Sequence, residues 1–386
     1  MLTRFPMEGA CMRRYPGFDP PEYLDWQADP ALVAEYRARL AADPARAEVV
    51  AALDEAALLA LYAGMVRNRL HDHALQRWVR QGVISKAWLG RGEEAVTIGA
   101  VHALERGRDV VAPMIRNAGA CHELGMPVAD MLRGYLATGD APNGGRDGHV
   151  GAPELGVLPP VSPVGDMVPV IAGVALAFRL RREPRVALTW VGDGATGTGA
   201  FHEGLAFASA QHVPAIFVIQ DNQVALGTRA QAMHRGDFGD WPRALGLPGA
   251  RADGNNVLDV YAATRLAADR VRGTDEGPFL LVADTFRMGG HATHDEAEAR
   301  ATFDAGLFRT WGARDPIGLY EEHLVAEGIA RTRLEALEAE VTAEVDAAAE
   351  AALASRTAAP AVPEHAEYPG FSAGVRQPGL ARRLNA

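Results

Sequence analysis

Cysteine is nearly absent: a chain of 386 residues holds only Cys11 and Cys121. Two such thiols make no disulfide framework, which excludes the cross-linked secreted class and leaves a reduced cytoplasm as the expected location. Long hydrophobic runs are missing too. The longest, near residues 168–178, falls well short of the roughly 20 apolar residues that span a bilayer. The amino end carries Arg4, but also Glu8 and several prolines, and lacks the apolar stretch of a signal peptide. Excess positive charge is lacking as well. Lys and Arg number 38 against 49 Asp and Glu, a net charge of −11, so nothing is available to neutralise a phosphate backbone. The expectation is a soluble protein with neither nucleic-acid nor membrane partners. No internal repeat is visible.

What is present suits a packed α/β chain. An apolar fraction of 48% is ample for a core. Residues 1 to about 29 are rich in Pro and aromatics (Phe5, Tyr15, Phe18, Tyr23, Trp26) and read as an extended arm that packs onto something. Pro30–Asp43 and Asp54–Gln81 read as helices, the second with Leu61, Met65 and Leu70 at helical spacing. From Lys86 to about Asp284, short apolar strands alternate with helices, the pattern of a doubly wound, mostly parallel sheet with flanking helices. Residues 330–355 form an Ala/Glu-rich helix whose stripe of Leu334, Leu337, Val341 and Val345 reads as core or interface. The last thirty residues read as a loose tail. The implied division is an arm and helix over 1–50, an α/β domain over 51–330, and a helix and tail over 331–386.

The most informative stretch lies in the middle. Ala215–Ile219 is apolar at every position and Arg185–Val191 at all but Arg185 and Thr189, as strands buried on both faces are. Ala200–Gln211 between them reads as a helix, giving a strand–helix–strand unit with a right-handed crossover. Gly192-Asp193-Gly194 closes the first strand, and Asn222 stands 29 residues past Asp193, after the second. Parallel strands place both at the carboxyl edge of one sheet, where open α/β sheets bind ligands. Gly192, Gly194 and Gly197 also satisfy G-x-G-x-x-G, with Asp221 24 residues past Gly197, so a nicotinamide dinucleotide is a rival ligand. Asp193 separates the two. A carboxylate about 4 Å from a pyrophosphate charge repels it by roughly 4 kcal/mol at an effective dielectric of 20. A bridging Mg²⁺ turns that into attraction, since the ion takes oxygens from carboxylate, carbonyl, phosphate and water. The metal reading explains both Asp193 and Asn222; the nicotinamide reading explains neither.

Gly192-Asp193-Gly194 followed by Asp221-Asn222 resembles the thiamine diphosphate motif. The wider stretch from Gly192 to Thr228 resembles the alpha subunits of 2-oxoacid dehydrogenase complexes of the branched-chain, pyruvate and acetoin types. Further segments agree in order: Gly92-Glu93-Glu94-Ala95, a helix start; Met114–Gly119, whose Arg116 matches the Arg on the diphosphate; Ser162–Pro169, which lies along the cofactor; Arg287–Asp295, with the active-site His at His291; and Trp311–Ile317. The resemblance implies a thiamine diphosphate-binding fold over roughly residues 50–330. It implies Asp193, Asn222 and the Val224 carbonyl on Mg²⁺. It also implies Ile115, Arg116, Ser162, Val164, Asp193, Gly194, Ala195, Asn222 and His291 around the cofactor, with His291 beside the reacting carbon. The implied reaction is oxidative decarboxylation of a 2-oxoacid, best matched by 3-methyl-2-oxobutanoate, with acyl transfer to a lipoyl group on an acyltransferase. Pyruvate and acetoin enzymes are the alternatives; an NAD-dependent oxidoreductase or a non-catalytic paralogue stands further off. The carboxylate that activates the cofactor would come from a beta chain in a heterotetramer of two alpha and two beta chains.

Several positions depart from the pattern. Met114-Ile115 replaces the usual Gln-Tyr. Asp166 and Met167 stand where branched-chain members hold K⁺ with Thr and Gln, which puts that ion in doubt. Gly290 and Ala292 flank His291 where animal branched-chain enzymes carry a His and a regulatory Ser. His294 takes no role, and Glu203 suits its helix or an intersubunit contact. Arg287 and Asp295 are placed to pair and order their loop. Lys86-Ala87 replaces pocket aromatics: an inward Lys86 would favour a polar or dicarboxylic 2-oxoacid, an outward one would leave an apolar pocket.

Overall fold

A computed structural model describes residues 21–24 and 26–360. Most of the expected arm and tail lies outside these residues. The arm's last aromatics are within them: Tyr23 and Trp26 are buried, and the Trp26 indole donates to the Ala313 carbonyl at 3.2 Å.

The sheet has five parallel strands, β1 (Val110–Ala112), β2 (Ala187–Gly192), β3 (Ala215–Asp221), β4 (Gly249–Asp253) and β5 (Phe279–Asp284), in the order β1-β2-β3-β5-β4. The α/β class and mostly parallel sheet expected from the sequence are those the chain adopts. The apolar runs are explained by two cores. Along β2, Leu188 and Trp190 enter one and Ala187 and Val191 the other; along β3, Ile216 and Val218 face opposite to Phe217 and Ile219. The helices Glu94–His102 and Val257–Val271 cover the first face, Met167–Arg181 and Gly199–Ala210 the second. Each large side chain so buried contributes about 1.5–3 kcal/mol, so a strand cannot alternate with polar residues here.

A third core lies between helices. Leu61, Met65 and Leu70 of the helix Glu55–Arg80 share it with Leu334, Val341 and Val345 of Arg331–Ala358, so the carboxy-terminal stripe is core. Asp54 caps Glu55–Arg80 by accepting from Ala57 N at 2.8 Å. The helix expected over Pro30–Asp43 stops at Ala41, and another runs from Pro44 to Ala51. The reason is local. Asp43 accepts from Ala45 N at 3.0 Å and Arg46 N at 3.2 Å, and a residue before proline is pushed into extended backbone. Among the described residues no single helix is long and apolar enough to cross a membrane.

Candidate functional site

Register places the site. Gly192 of β2 pairs with Gln220 of β3, so the turn at Asp193 and the segment Asp221-Asn222 leave adjacent strands side by side. Past Asn222 the chain turns through Gln223, whose φ is 71°, into Val224. Asn222 Oδ1 lies 3.4 Å from Val224 N. Asp193, Asn222 and Val224 thus lie close together at the carboxyl edge of the sheet. Gly194 is required beside them, because a Cβ there would collide with the side chain of Ala225. Ala195 follows in the same turn, its carbonyl accepting from the Thr198 hydroxyl at 2.8 Å.

Asp193 is buried, with Oδ1 accepting from Gly194 N at 2.7 Å and Oδ2 lacking any hydrogen-bond partner. Burial, and then the neighbouring carboxylates Asp221 and Glu93, push its carboxyl up to about 7. An unpartnered buried carboxylate oxygen costs several kcal/mol of lost hydration, which a cation would restore. Among the described residues no cluster of three His, Cys, Asp or Glu forms a metal cage. A hard cation here would therefore have one carboxylate and neutral oxygens, leaving positions for phosphate and water, which is how Mg²⁺ is commonly bound. The donor set fits that ion. Val224 contributes a carbonyl that already accepts from Arg287 Nη1 at 3.1 Å, with a second lone pair remaining.

Arg116 and His291 are direct neighbours. Arg116 is buried; its Nη1 donates to the Leu89 carbonyl at 2.9 Å, and its Nη2 lies 3.5 Å from His291 Nδ1 and 3.4 Å from the His291 carbonyl. Burial, then the guanidinium groups of Arg116 and Arg287, pull the half-buried His291 down to about 4, so its ring is neutral at pH 7. Ile115 beside Arg116 is half-buried.

The Ser162–Asp166 loop is more open, with Ser162 and Val164 exposed. It rests on the Asp193 turn through Gly165, whose φ is 86° and where a Cβ would strike the Thr198 hydroxyl. Ser162 Oγ lies 3.3 Å from His149 Nε2, and His149 Nδ1 lies 2.7 Å from Asp147.

Three expectations resolve at the rim. Arg287 does not pair with Asp295. Its side chain donates to the carbonyls of Gly289, Val224 and Leu226, while Asp295 accepts from Ala292 N at 2.9 Å. The loop is still pinned at both ends, but a buried guanidinium among carbonyls satisfies several fixed donors at once, which one carboxylate would not. Lys86 is exposed, its ammonium 5.1 Å from the centre of the Trp88 ring, so it points outward. His294 and Glu203 are also exposed.

Sequence reasoning missed the polar groups beneath the site. Glu93, read only as part of a helix start, is buried and accepts from Asn222 Nδ2 at 2.7 Å. Gln220 and Asn117 join it, and His149 sits against Ser162. Polar letters inside an apolar run or at a helix start are the available signal, but partners so distant in sequence cannot be matched from it.

A family model described as dehydrogenase E1 component matches residues 62–361. The 2-oxoisovalerate dehydrogenase subunit alpha of Bacillus subtilis (strain 168) is 30% identical over 281 residues, covering 71% of this chain and 84% of the relative. The pyruvate dehydrogenase E1 component subunit alpha of Acholeplasma laidlawii is 30% identical over 302 residues, 76% of this chain and 83% of the relative. Its namesake from Staphylococcus aureus (strain MW2) is 32% identical over 288 residues, 73% and 74%.

Proposed function

The chain belongs to the dehydrogenase E1 component family, as the alpha subunit of a thiamine-diphosphate-dependent 2-oxoacid dehydrogenase, and from that premise we propose that its substrate is a branched-chain 2-oxoacid, 3-methyl-2-oxobutanoate. Enzymes of this family use thiamine diphosphate with a divalent metal ion, generally Mg²⁺. The observation that carries the assignment of the site is the buried Asp193 carboxylate, one oxygen unpartnered, beside Asn222 at adjacent strand ends. In this reading Asp193, Asn222 and the Val224 carbonyl hold the metal, and the Arg116 guanidinium lies on the diphosphate. Gly194 and Ala195 line the turn, Ile115 flanks Arg116, and the backbone at Ser162 and Val164 runs along the cofactor.

When bound, thiamine diphosphate supplies the carbanion chemistry that releases CO₂ from a 2-oxoacid. The chain's own residues fix it and tune its surroundings. Arg116, together with a metal held by Asp193, Asn222 and the Val224 carbonyl, would place positive charge against the diphosphate in a buried site, where such interactions are stronger than in water. His291 is held neutral and so can accept a hydrogen bond at one ring nitrogen and donate from the other, a role it would serve toward the reacting groups if they are bound next to Arg116.

The branched-chain assignment is supported by Lys86. An ammonium turned outward onto Trp88 puts no charge into the pocket, and the neighbouring Ala87 is buried and apolar. The activating carboxylate is assigned to a beta chain within a heterotetramer of two alpha and two beta chains that passes acyl groups to a lipoyl-bearing acyltransferase, in the cytoplasm. Exposed Val161, Val164, Leu226 and Met233 flank the site, as expected where a second chain covers it. The test is decarboxylation by the chain alone and mixed with its beta partner, with Mg²⁺ and thiamine diphosphate. Activity is expected in the mixture alone, with a higher kcat/KM for 3-methyl-2-oxobutanoate than for pyruvate. A pyruvate preference overturns the substrate, and turnover by the single chain overturns the shared site.

A further inference from the structure

Glu93 is a carboxylate with no place in the reaction so far, at 1% exposure beneath the metal position. Its Oε1 accepts two amide donors, Asn222 Nδ2 at 2.7 Å and Gln220 Nε2 at 2.5 Å. Its Oε2 has no hydrogen-bond partner and lies 3.6 Å from Arg116 Nη1. Gln220 Oε1 in turn accepts from Asn117 Nδ2 at 3.1 Å, which also donates to the Thr97 hydroxyl at 2.7 Å. Asn117 Oδ1 accepts from Met114 N at 3.2 Å, closing the turn that presents Arg116. All of these side chains are buried. A continuous polar network therefore runs from the Arg116 turn to Asn222, and Glu93 is its centre.

The network decides which way round an amide sits. The two ends of a carboxamide have nearly the same shape, so packing alone does not choose between them. Glu93 does. With Nδ2 toward the carboxylate Asn222 makes a charge-assisted hydrogen bond, whereas the flipped amide would set Oδ1 against a carboxylate oxygen where both side chains are buried. The first arrangement leaves Oδ1, the atom a hard cation needs, turned away from the carboxylate, with a long 3.4 Å hydrogen bond from Val224 N. The same carboxylate, with the Leu89 carbonyl, holds the Arg116 guanidinium.

We propose that Glu93 is a positioning residue that orients Asn222 with its oxygen toward the metal and fixes Arg116 for the diphosphate. The proposal rests on the reading of Asp193 and Asn222 as the metal site. The orientation of Asn222 acts through acceptor geometry, so glutamine at position 93, which keeps Oε1 for both amide donors but loses the ion pair with Arg116, retains the metal site and alanine does not. Glu93 is thereby distinguished from a metal ligand in its own right, for which glutamine would fail too.

The experiment compares Glu93→Ala, Glu93→Gln and Gln220→Leu with the unaltered protein in the complex with its beta chain, using Asp193→Ala as control. Mg²⁺-dependent thiamine diphosphate affinity is read by calorimetry, Mn²⁺ affinity by electron paramagnetic resonance, and kcat and KM are measured at saturating cofactor. Glu93→Ala is expected to weaken both affinities by about 10–100-fold, the usual loss when a group holding a metal ligand in place is removed. Glu93→Gln is expected to recover Mn²⁺ affinity to within about threefold and to recover thiamine diphosphate affinity less completely, because the Arg116 ion pair is gone. Gln220→Leu removes the bridge, leaves Glu93 in place, and is expected to lose affinity by an intermediate amount; it carries the test if Glu93→Ala does not fold. Wild-type affinity in Glu93→Ala with none in Asp193→Ala overturns the proposal while sparing the site, as does an equal loss in Glu93→Gln and Glu93→Ala. Failure of the unaltered complex to bind Mg²⁺ and thiamine diphosphate overturns the site itself.

Discussion

Exchanging Asp193 for Asn should stabilise the cofactor-free protein and destroy its affinity for the metal and cofactor. The side chain is 3% exposed, and its Oδ1 bond to Gly194 N survives in an amide of the same shape. What disappears is the cost of ionising a carboxyl group that burial pushes from 3.8 to about 7. At 1.36 kcal/mol per pKa unit this cost approaches about 4 kcal/mol above pH 7, an upper bound because relaxation of the protein around the charge lowers it. The sign follows from proton binding. A carboxyl with a raised folded pKa holds its proton longer in the folded state, so the penalty is absent below about pH 4. It builds between pH 4 and 7 and is complete above 7. The melting temperature of Asp193→Asn should therefore exceed that of the wild type by a few degrees at pH 8, and the difference should vanish near pH 4. Saturating Mg²⁺ and thiamine diphosphate should reverse the order, since only the wild type then gains RT ln(1 + [L]/Kd). Scanning calorimetry at the two pH values, with and without cofactor, supplies all four numbers. A cofactor-free variant that melts below the wild type at pH 8, or one that the cofactor stabilises equally, refutes the reasoning.

His291, drawn down to about 4 by burial and the two arginines, should show no ring titration between pH 5.5 and 8 by NMR of the cofactor-free protein. Because its folded pKa lies below the unfolded value, the folded state loses stability as pH falls through 6.5 toward 4, and His291→Gln should flatten that part of the melting-temperature profile. Lys86→Ala should change kcat/KM by less than about fivefold, and evenly for pyruvate and 3-methyl-2-oxobutanoate, because an exposed cation over a ring is worth about 0.5–1 kcal/mol. A loss confined to one acid would put the ammonium in the pocket.

The sequence by itself determined the sheet at its centre and the residues that leave it. Runs such as Ala215–Ile219, apolar at each position, have one stable environment, a strand covered on both faces, and the polar letters Asp193 and Asn222 directly after such runs must emerge at its edge. Arg116 and His291 stood out in the sequence only as members of longer stretches, Met114–Gly119 and Arg287–Asp295, and the fold brings the two side chains together. Short strands were not: β1 spans three residues, and β4 begins Gly249-Ala250-Arg251, too brief or too mixed for a periodic signal. Tertiary structure alone decided where charges go. The direction of Lys86, the choice of carbonyls over Asp295 by Arg287, and the seating of Glu93 under Asn222 depend on partners brought near by folding; Asn222, for example, is 129 positions from Glu93. Hydrophobic burial repeats at short period along the chain and can be read from it. A hydrogen bond is specific to two atoms and leaves no periodic trace, so its pairing appears only once the strands have met.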